Sequence, residues 1–254
     1  MDRGISIMKC FWIHPCTVDG KNCSTQKTGI MEKSTEKREV ELREKVERYL
    51  KRDDRLHDDK IKVSVTGDTV SLEGKVNSHY AMRIAENIAY TVMGVKLVEN
   101  YLAVEPSGTY MKPSDLEIEK SIRSTLLWNS AIDSNDLDVT VTNGKAELNG
   151  SLYSYHEMRL AEEITYTING VNEVVNNIVV NTRHDTNDEL IADNVFEALD
   201  SDPMVNAADI DISINNGLVT LSGSVQDYVA ANAAHDALLY IPGVRGIVNN
   251  INIG

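Results

Sequence analysis

The chain has 254 residues, 42% of them hydrophobic, 25% charged and 6% aromatic, and its 39 acidic against 25 basic side chains give a formal charge of −14. No stretch approaches the ~18 consecutive apolar residues that a membrane-spanning helix needs, so an integral helical membrane protein is excluded. The composition is that of an acidic, soluble chain long enough for several small units, since a module of roughly 65 residues can just bury enough apolar surface to fold.

The first segment reads as an arm. Arg3 stands near its start, but Lys9 interrupts the apolar run of Met1–Ile13 and no small-residue cleavage site follows, so it does not read as a signal peptide. The expected compartment on this reading is the cytoplasm. Cys10, Cys16 and Cys23 are the only cysteines, which excludes a disulfide framework for the remainder. Their C-x5-C-x6-C spacing, with His14 inside it, lacks the C-x2-C knuckle of zinc sites, and no metal is expected. Met31 opens the charged text MEKSTEKREVELREK, so translation from Met31, or from Met8, would shorten the arm. Residues 1–39 are therefore expected to lie outside the fold, without fixed structure.

From residue 40 onward the chain repeats itself three times. Gly74, Gly150 and Gly223 are separated by 76 and 73 residues, and Gly94, Gly170 and Gly243 follow the same offsets. Two independent glycine series in one register mark an internal triplication. The same offsets align Leu42, Ile118 and Ile191, then Val46, Ile122 and Val195, then Leu50, Leu126 and Leu199, and also Asn100, Asn176 and Asn249. The units are residues 40–105, 115–181 and 188–254, joined by EPSGTYMKPSD and NTRHDTND, both rich in turn-forming residues.

The second unit shows the elements most plainly. Ile118, Ile122, Leu126 and Leu127 recur at helical spacing and predict a first helix lying on the core. Leu137, Val139 and Val141 alternate with polar residues as a half-buried strand, Asn143-Gly144 predicts a type I′ hairpin turn, and Ala146 and Leu148 resume the alternation. Gly67-Asp68 and Asn216-Gly217 occupy the turn in the other units. A second helix starts after Ser154, with Glu157 completing a capping box, and is expected to bury Met158, Ala161, Ile164 and Ile168. Gly170 ends it at positive φ, and Val174–Val180 forms the last strand. The fold class is thus α+β: three tandem αββαβ modules, each a small three-stranded mixed sheet with two helices on one face.

This pattern of a hairpin, Gly-x-Val or Gly-x-Leu at 74–76, 150–152 and 223–225, a helix, Gly-Val at 94–95, 170–171 and 243–244, and then an asparagine strand resembles the BON domain, the bacterial osmotically inducible and nodulation module. The resemblance implies a non-enzymatic module, often in tandem in Gram-negative envelope proteins, with phospholipid binding, attachment or stress protection as its proposed role. It also implies the periplasm as the alternative compartment.

The residues themselves offer no catalytic constellation and call for no cofactor. His57, His79, His156, His184 and His235 fall at unrelated repeat positions, except that His79 aligns with Tyr155 and Tyr228 at the start of the second helix. Asp200, Asp202, Asp209 and Asp211 lack the glycine and terminal glutamate of a calcium loop. Tyr90 and Tyr166 read as rim-of-core residues, and the repeated asparagine as a cap or bulge of the last strand.

Charge is the asymmetric feature. Net charge falls from +2 over residues 1–39 through −1 and −5 to −10 over residues 184–254, where Arg245 is the sole basic residue. Nucleic acid, which demands a basic face, is not an expected partner. Lys45, Arg48, Arg52 and Arg55 form a basic stripe on the first helix that suits an anionic phospholipid surface. The competing reading is a merely solvated helix, held by the i,i+4 pairs Glu41-Lys45, Glu44-Arg48 and Glu47-Lys51. The expected function is non-catalytic attachment to anionic phospholipid through unit 1, with a soluble scaffold for protein partners or self-association as the alternative.

Overall fold

The computed structural model describes residues 25–56, 60–105, 113–182 and 187–254, with side chains from residue 36 onward. Cys10, Cys16, Cys23, His14, His57 and His184 lie outside the described residues. Helix α1 (Thr25–Arg52), strands β1 (Lys60–Thr66) and β2 (Thr69–Val76), helix α2 (His79–Tyr90) and strand β3 (Leu97–Val104) make module 1. Module 2 repeats the order with α3 (Asp115–Trp128), β4 (Leu137–Thr142), β5 (Lys145–Leu152), α4 (Tyr155–Thr167) and β6 (Glu173–Val180). Module 3 consists of α5 (Asp188–Ser201), β7 (Ile210–Asn215), β8 (Leu218–Val225), α6 (Tyr228–Asp236) and β9 (Gly246–Ile253). Short 3₁₀ turns at Asp54–Leu56, Ser134–Asp136 and Ala207–Asp209 complete the modules.

Each sheet has its hairpin paired antiparallel and its third strand added in parallel beside the second, so β2, β5 and β8 are central. A parallel neighbour needs a crossover, and the second helix supplies it. In module 1 the strands alternate strictly. Val63, Val70, Leu72, Val98 and Leu102 are buried together with Leu42, Val46 and Leu50 of α1 and Ala81, Ile84 and Ala85 of α2. Both helices therefore cover one face of the sheet, while the other faces solvent.

Four local expectations need correction. Helix α1 already begins at Thr25, so part of the segment assigned to an unstructured arm is helical, and Glu39 reaches the first hairpin. Leu127 is 67% exposed, because the buried stripe of α3 is Ile118, Ile122 and Leu126 alone. Helix α4 buries Ala161 and Thr165 fully, leaving Met158, Ile164 and Ile168 half-buried at the helix edges. The complete capping box lies at Ser114–Glu117 of α3, whereas Ser154 accepts from the Glu157 N–H without the reciprocal backbone bond.

The hairpins follow their residues. Asn143 and Gly144, and Asn216 and Gly217, all have positive φ, as a type I′ turn requires, while at Gly67-Asp68 only the glycine does, the φ signature of type II′. An unforeseen tie holds these turns. Asp115 accepts from the Asn143 and Gly144 N–H groups at 2.7 and 2.9 Å, and Asp188 accepts from Asn216 and Gly217 at 2.9 and 3.0 Å. Glu39, at the equivalent position, accepts from Gly67 at 2.7 Å. One carboxylate at the same repeat position, the first residue of α3 and of α5 but an interior residue of α1, thus fixes the hairpin of its own module.

Residues Arg38–Gly254 pack as one compact unit. Its modules meet through their second helices, end to start. Arg83 of α2 lies 3.4 Å over the ring of Tyr166, near the end of α4. Tyr90, ending α2, stacks at 4.1 Å on Tyr228, which begins α6. Tyr240, just past α6, faces His156 at the start of α4 at 4.2 Å. Three equivalent joints close on one another, and together they enclose a central polar cleft of about 520 Å³.

Candidate binding site

Helix α1 carries three of the four basic residues that the sequence singles out, and Arg55, expected on the same helix, lies beyond its end in the 3₁₀ turn Asp54–Leu56. Lys45, Arg48 and Arg52 are exposed and have neither an ion-pair nor a hydrogen-bond partner among the described residues. Arg55 differs. Its Nε and Nη2 donate to Asp53 at 2.8 and 2.6 Å and its Nη1 to the Tyr80 hydroxyl at 3.3 Å. The Asp53 hydrogen bond, followed by that of Tyr80, raises the guanidinium pKa, and the same contact holds the Asp53 carboxyl below the usual range. Of the expected i,i+4 pairs only Glu47–Lys51 forms, at 3.6 Å, with Arg43 on the other side of Glu47 at 3.9 Å. The solvated-helix reading therefore loses the pairs that would have occupied Lys45 and Arg48.

The six marker glycines are structural. A Cβ on Gly74, Gly150 or Gly223 would sit 2.0–2.1 Å from the carbonyl oxygen of Lys60, Asp136 or Asp209. Gly94, Gly170 and Gly243 turn the chain from helix to third strand at φ of 97°, 94° and 92°.

The repeated asparagine does more than cap a strand. Asn100 donates to the Met82 carbonyl at 3.4 Å and to Glu86 at 3.0 Å, and accepts from the Leu102 N–H at 3.1 Å. Asn176 repeats this with Met158, Glu162 and Ile178, and Asn249 with Ala231 and Ile251. It staples the crossover helix to the strand it delivers. Tyr90 and Tyr166 are rim-of-core residues whose hydroxyls accept from the Val98 and Val174 N–H groups at 3.3 and 3.4 Å. They also form module joints, Tyr90 with Tyr228 and Tyr166 with Arg83, and burial pushes the hydroxyl pKa of Tyr228, and of Tyr155 beside His235, upward.

Among the described residues, no group of three or more His, Cys, Asp or Glu is placed to hold a metal, and no helix is long and apolar enough to cross a membrane. His156 and His235 both sit at the α4–α6 joint, the latter 3.3 Å from the Tyr155 hydroxyl and 3.3 Å from Asp236.

What the fold defines is a tandem of three α+β modules, joined through their crossover helices. The chain belongs to the BON domain family: the family model matches at residues 38–106, 114–182 and 187–254. That family is non-catalytic in general, and no enzyme family matches. Among solved structures, the C-terminal domain of CdsD, a structural protein of the type III secretion system of Chlamydia trachomatis, is 14% identical. It covers 85% of this chain and 98% of its own length, with a TM-score of 0.23. A second CdsD structure matches at 14% identity over 84% of this chain and 92% of its own, also with a TM-score of 0.23. At that score the likeness carries no argument about role.

Proposed function

We propose that this chain is a non-catalytic binding protein that attaches to anionic phospholipid surfaces through module 1, in a stress or envelope-protection role. The observation that supports it is the exposed, unpaired trio Lys45, Arg48 and Arg52 in a chain of charge −14. Each cation near an anionic surface contributes about 1 kcal/mol, so three suffice for weak, salt-sensitive attachment. Modules 2 and 3, with their acidic excess, face away from the bilayer. Sedimentation with anionic or neutral vesicles, at low and physiological salt, tests the reading. The native chain is expected to pellet with anionic vesicles only, and Lys45→Gln, Arg48→Gln and Arg52→Gln together to weaken this markedly. Unchanged binding by the triple variant would remove these residues from the site.

A second reading, a protein-interaction scaffold or self-associating module, is favoured by the exposed apolar end of α3. There Trp128 and Leu127 are 84% and 67% exposed. Trp128→Ser should lower a self-association measured by light scattering, and a monomeric native chain with no stoichiometric partner in a pull-down would count against it. A cytoplasmic location, with the periplasm as its alternative, is open to cell fractionation.

A further inference from the structure

Each module has a flank where its first helix passes the hairpin's edge strand, and the three modules treat this flank differently. In module 2, Arg123 of α3 crosses it. Its guanidinium donates to Glu119 at 3.1 Å, to Asp138 of β4 at 2.7 Å and to the Val139 carbonyl at 2.6 Å. These bonds strap helix to strand, and the Asp138 hydrogen bond is the main reason the Arg123 pKa is raised. In module 3 the equivalent positions are Phe196 and Asp211, so an apolar ring replaces the strap.

Module 1 reverses the charges. Glu47 stands in place of Arg123, Arg43 in place of Glu119 and Lys62 in place of Asp138. Glu47 turns to Arg43 and Lys51 on its own helix and makes no bridge to Lys62 of β1, so no strap crosses here and a cleft of about 470 Å³ lies open. Leu50, Leu56, Ile61 and Val63 line it, with Arg43, Lys51 and Lys62 as its cations and Glu47 as its single acid. Glu47 holds Arg43 and Lys51 only at 3.9 and 3.6 Å, and Lys62 has no partner among the described residues. Ion pairs this long and exposed contribute little, so the cations are free to turn to a stronger anion.

We infer that this cleft between α1 and β1 is an anion subsite that takes a phosphate group. The inference deepens the proposed function, because the lipid headgroup is one source of that phosphate, and rests on it for that source alone. Three cations lining one recess can all donate to the same anion, whereas the Lys45–Arg48–Arg52 stripe offers only a field. The subsite belongs to module 1 because the other two modules lack these cations: module 2 has the Arg123 strap, and module 3 has Phe196 and Asp211 at the equivalent positions.

The test compares three full-length variants. The first carries Arg43→Gln, Lys51→Gln and Lys62→Gln. The second carries Lys45→Gln, Arg48→Gln and Arg52→Gln, with the same change in net charge. The third carries Glu47→Arg and Lys62→Asp, which rebuilds the helix-to-strand arm of the module 2 strap and leaves the net charge unaltered. Circular dichroism checks that each is folded, and binding is read with phosphatidylglycerol vesicles and, separately, with soluble glycerophosphate by titration calorimetry. The cleft and strap variants should each lose binding by about tenfold or more, and the stripe variant should lose less. Equal loss in the two charge-matched triples, with the strap variant within about twofold of the native chain, would overturn the cleft. Binding of glycerophosphate without binding of vesicles would keep the subsite and defeat the lipid reading, and absence of both would defeat the two together.

Discussion

In module 1, Asn100 ties β3 to α2 through the Met82 carbonyl and the Glu86 carboxylate; in module 3, Asn249 makes the same tie to the Ala231 carbonyl, but His235 stands where the carboxylate was. The backbone frame is common to both: the carboxylate that holds the hairpin, the glycine of the central strand, the asparagine staple. Their surfaces diverge, from a net charge of −1 over residues 40–105 to −10 over residues 184–254. Positions that satisfy backbone groups within a module are fixed by geometry and repeat. Positions facing solvent or another module are free to differ.

The largest effect that would probe this comparison comes from the central-strand glycines. A Cβ on Gly223 lies 2.1 Å from the Asp209 carbonyl oxygen and one on Gly74 lies 2.0 Å from that of Lys60, and neither backbone can yield without breaking its ladder. Gly74→Ala and Gly223→Ala should each destabilise by about 3 kcal/mol or more, measured by urea unfolding. Gly67 also has positive φ, but nothing lies within 4 Å of its added Cβ, so Gly67→Ala should cost about 1 kcal/mol. Similar losses at Gly67 and Gly74 would mean that dihedral strain and not the close approach fixes the glycine.

The staple comes next. Asn100→Ala leaves the Leu102 N–H without its acceptor and removes a bond to an ionised carboxylate, and should cost about 2 kcal/mol. Asn249→Ala, which forfeits only neutral bonds, should cost about 1 kcal/mol. The reverse order would show that the Glu86 contact adds nothing.

Sequence periodicity carries information about contacts inside a module and little about contacts between modules. The buried triplets Leu42/Ile118/Ile191 and Leu50/Leu126/Leu199 are visible because one helix face meets one sheet in every copy. The hairpins are visible because Asn-Gly needs no tertiary context to turn. Each joint, by contrast, is built from different chemistry: an arginine on Tyr166, a tyrosine on Tyr90, a histidine beside Tyr240. Tyr90 and Tyr166 share a repeat position, but their partners Tyr228 and Arg83 do not, so alignment alone reads the tyrosines as rim-of-core. Leu127 misled for a related reason, since an apolar residue next to a buried stripe looks like its continuation until the helix is placed on the sheet. The anion cleft was hidden because Arg43, Lys51 and Lys62 come together only when α1 packs beside β1. The capping carboxylates Glu39, Asp115 and Asp188 share one repeat position, and their register was the available signal for the hairpin ties.

The smallest expected effect separates the first helices of modules 2 and 3. Both have a side-chain N-cap: Ser114 accepts from the Glu117 N–H at 3.4 Å, and Asn187 accepts from the Leu190 N–H at 2.8 Å. Only module 2 has a carboxylate in the cap, because Glu117 accepts from the Ser114 hydroxyl and N–H at 2.7 and 2.8 Å, the hydroxyl chiefly holding its pKa below the usual range. A carboxyl lowered in the folded state contributes fully above its unfolded pKa, about 4.3 for Glu, and loses that contribution as pH falls through the folded value. Ser114→Ala and Asn187→Ala should each cost about 1 kcal/mol at neutral pH. As pH drops from about 5 toward 3, the Ser114→Ala difference should shrink while that of Asn187→Ala stays level, because leucine at the third helical position does not titrate. Urea unfolding of the two variants against the native chain, repeated across that range, reads the contrast directly; parallel pH profiles would show that the Glu117 half of the box stabilises nothing.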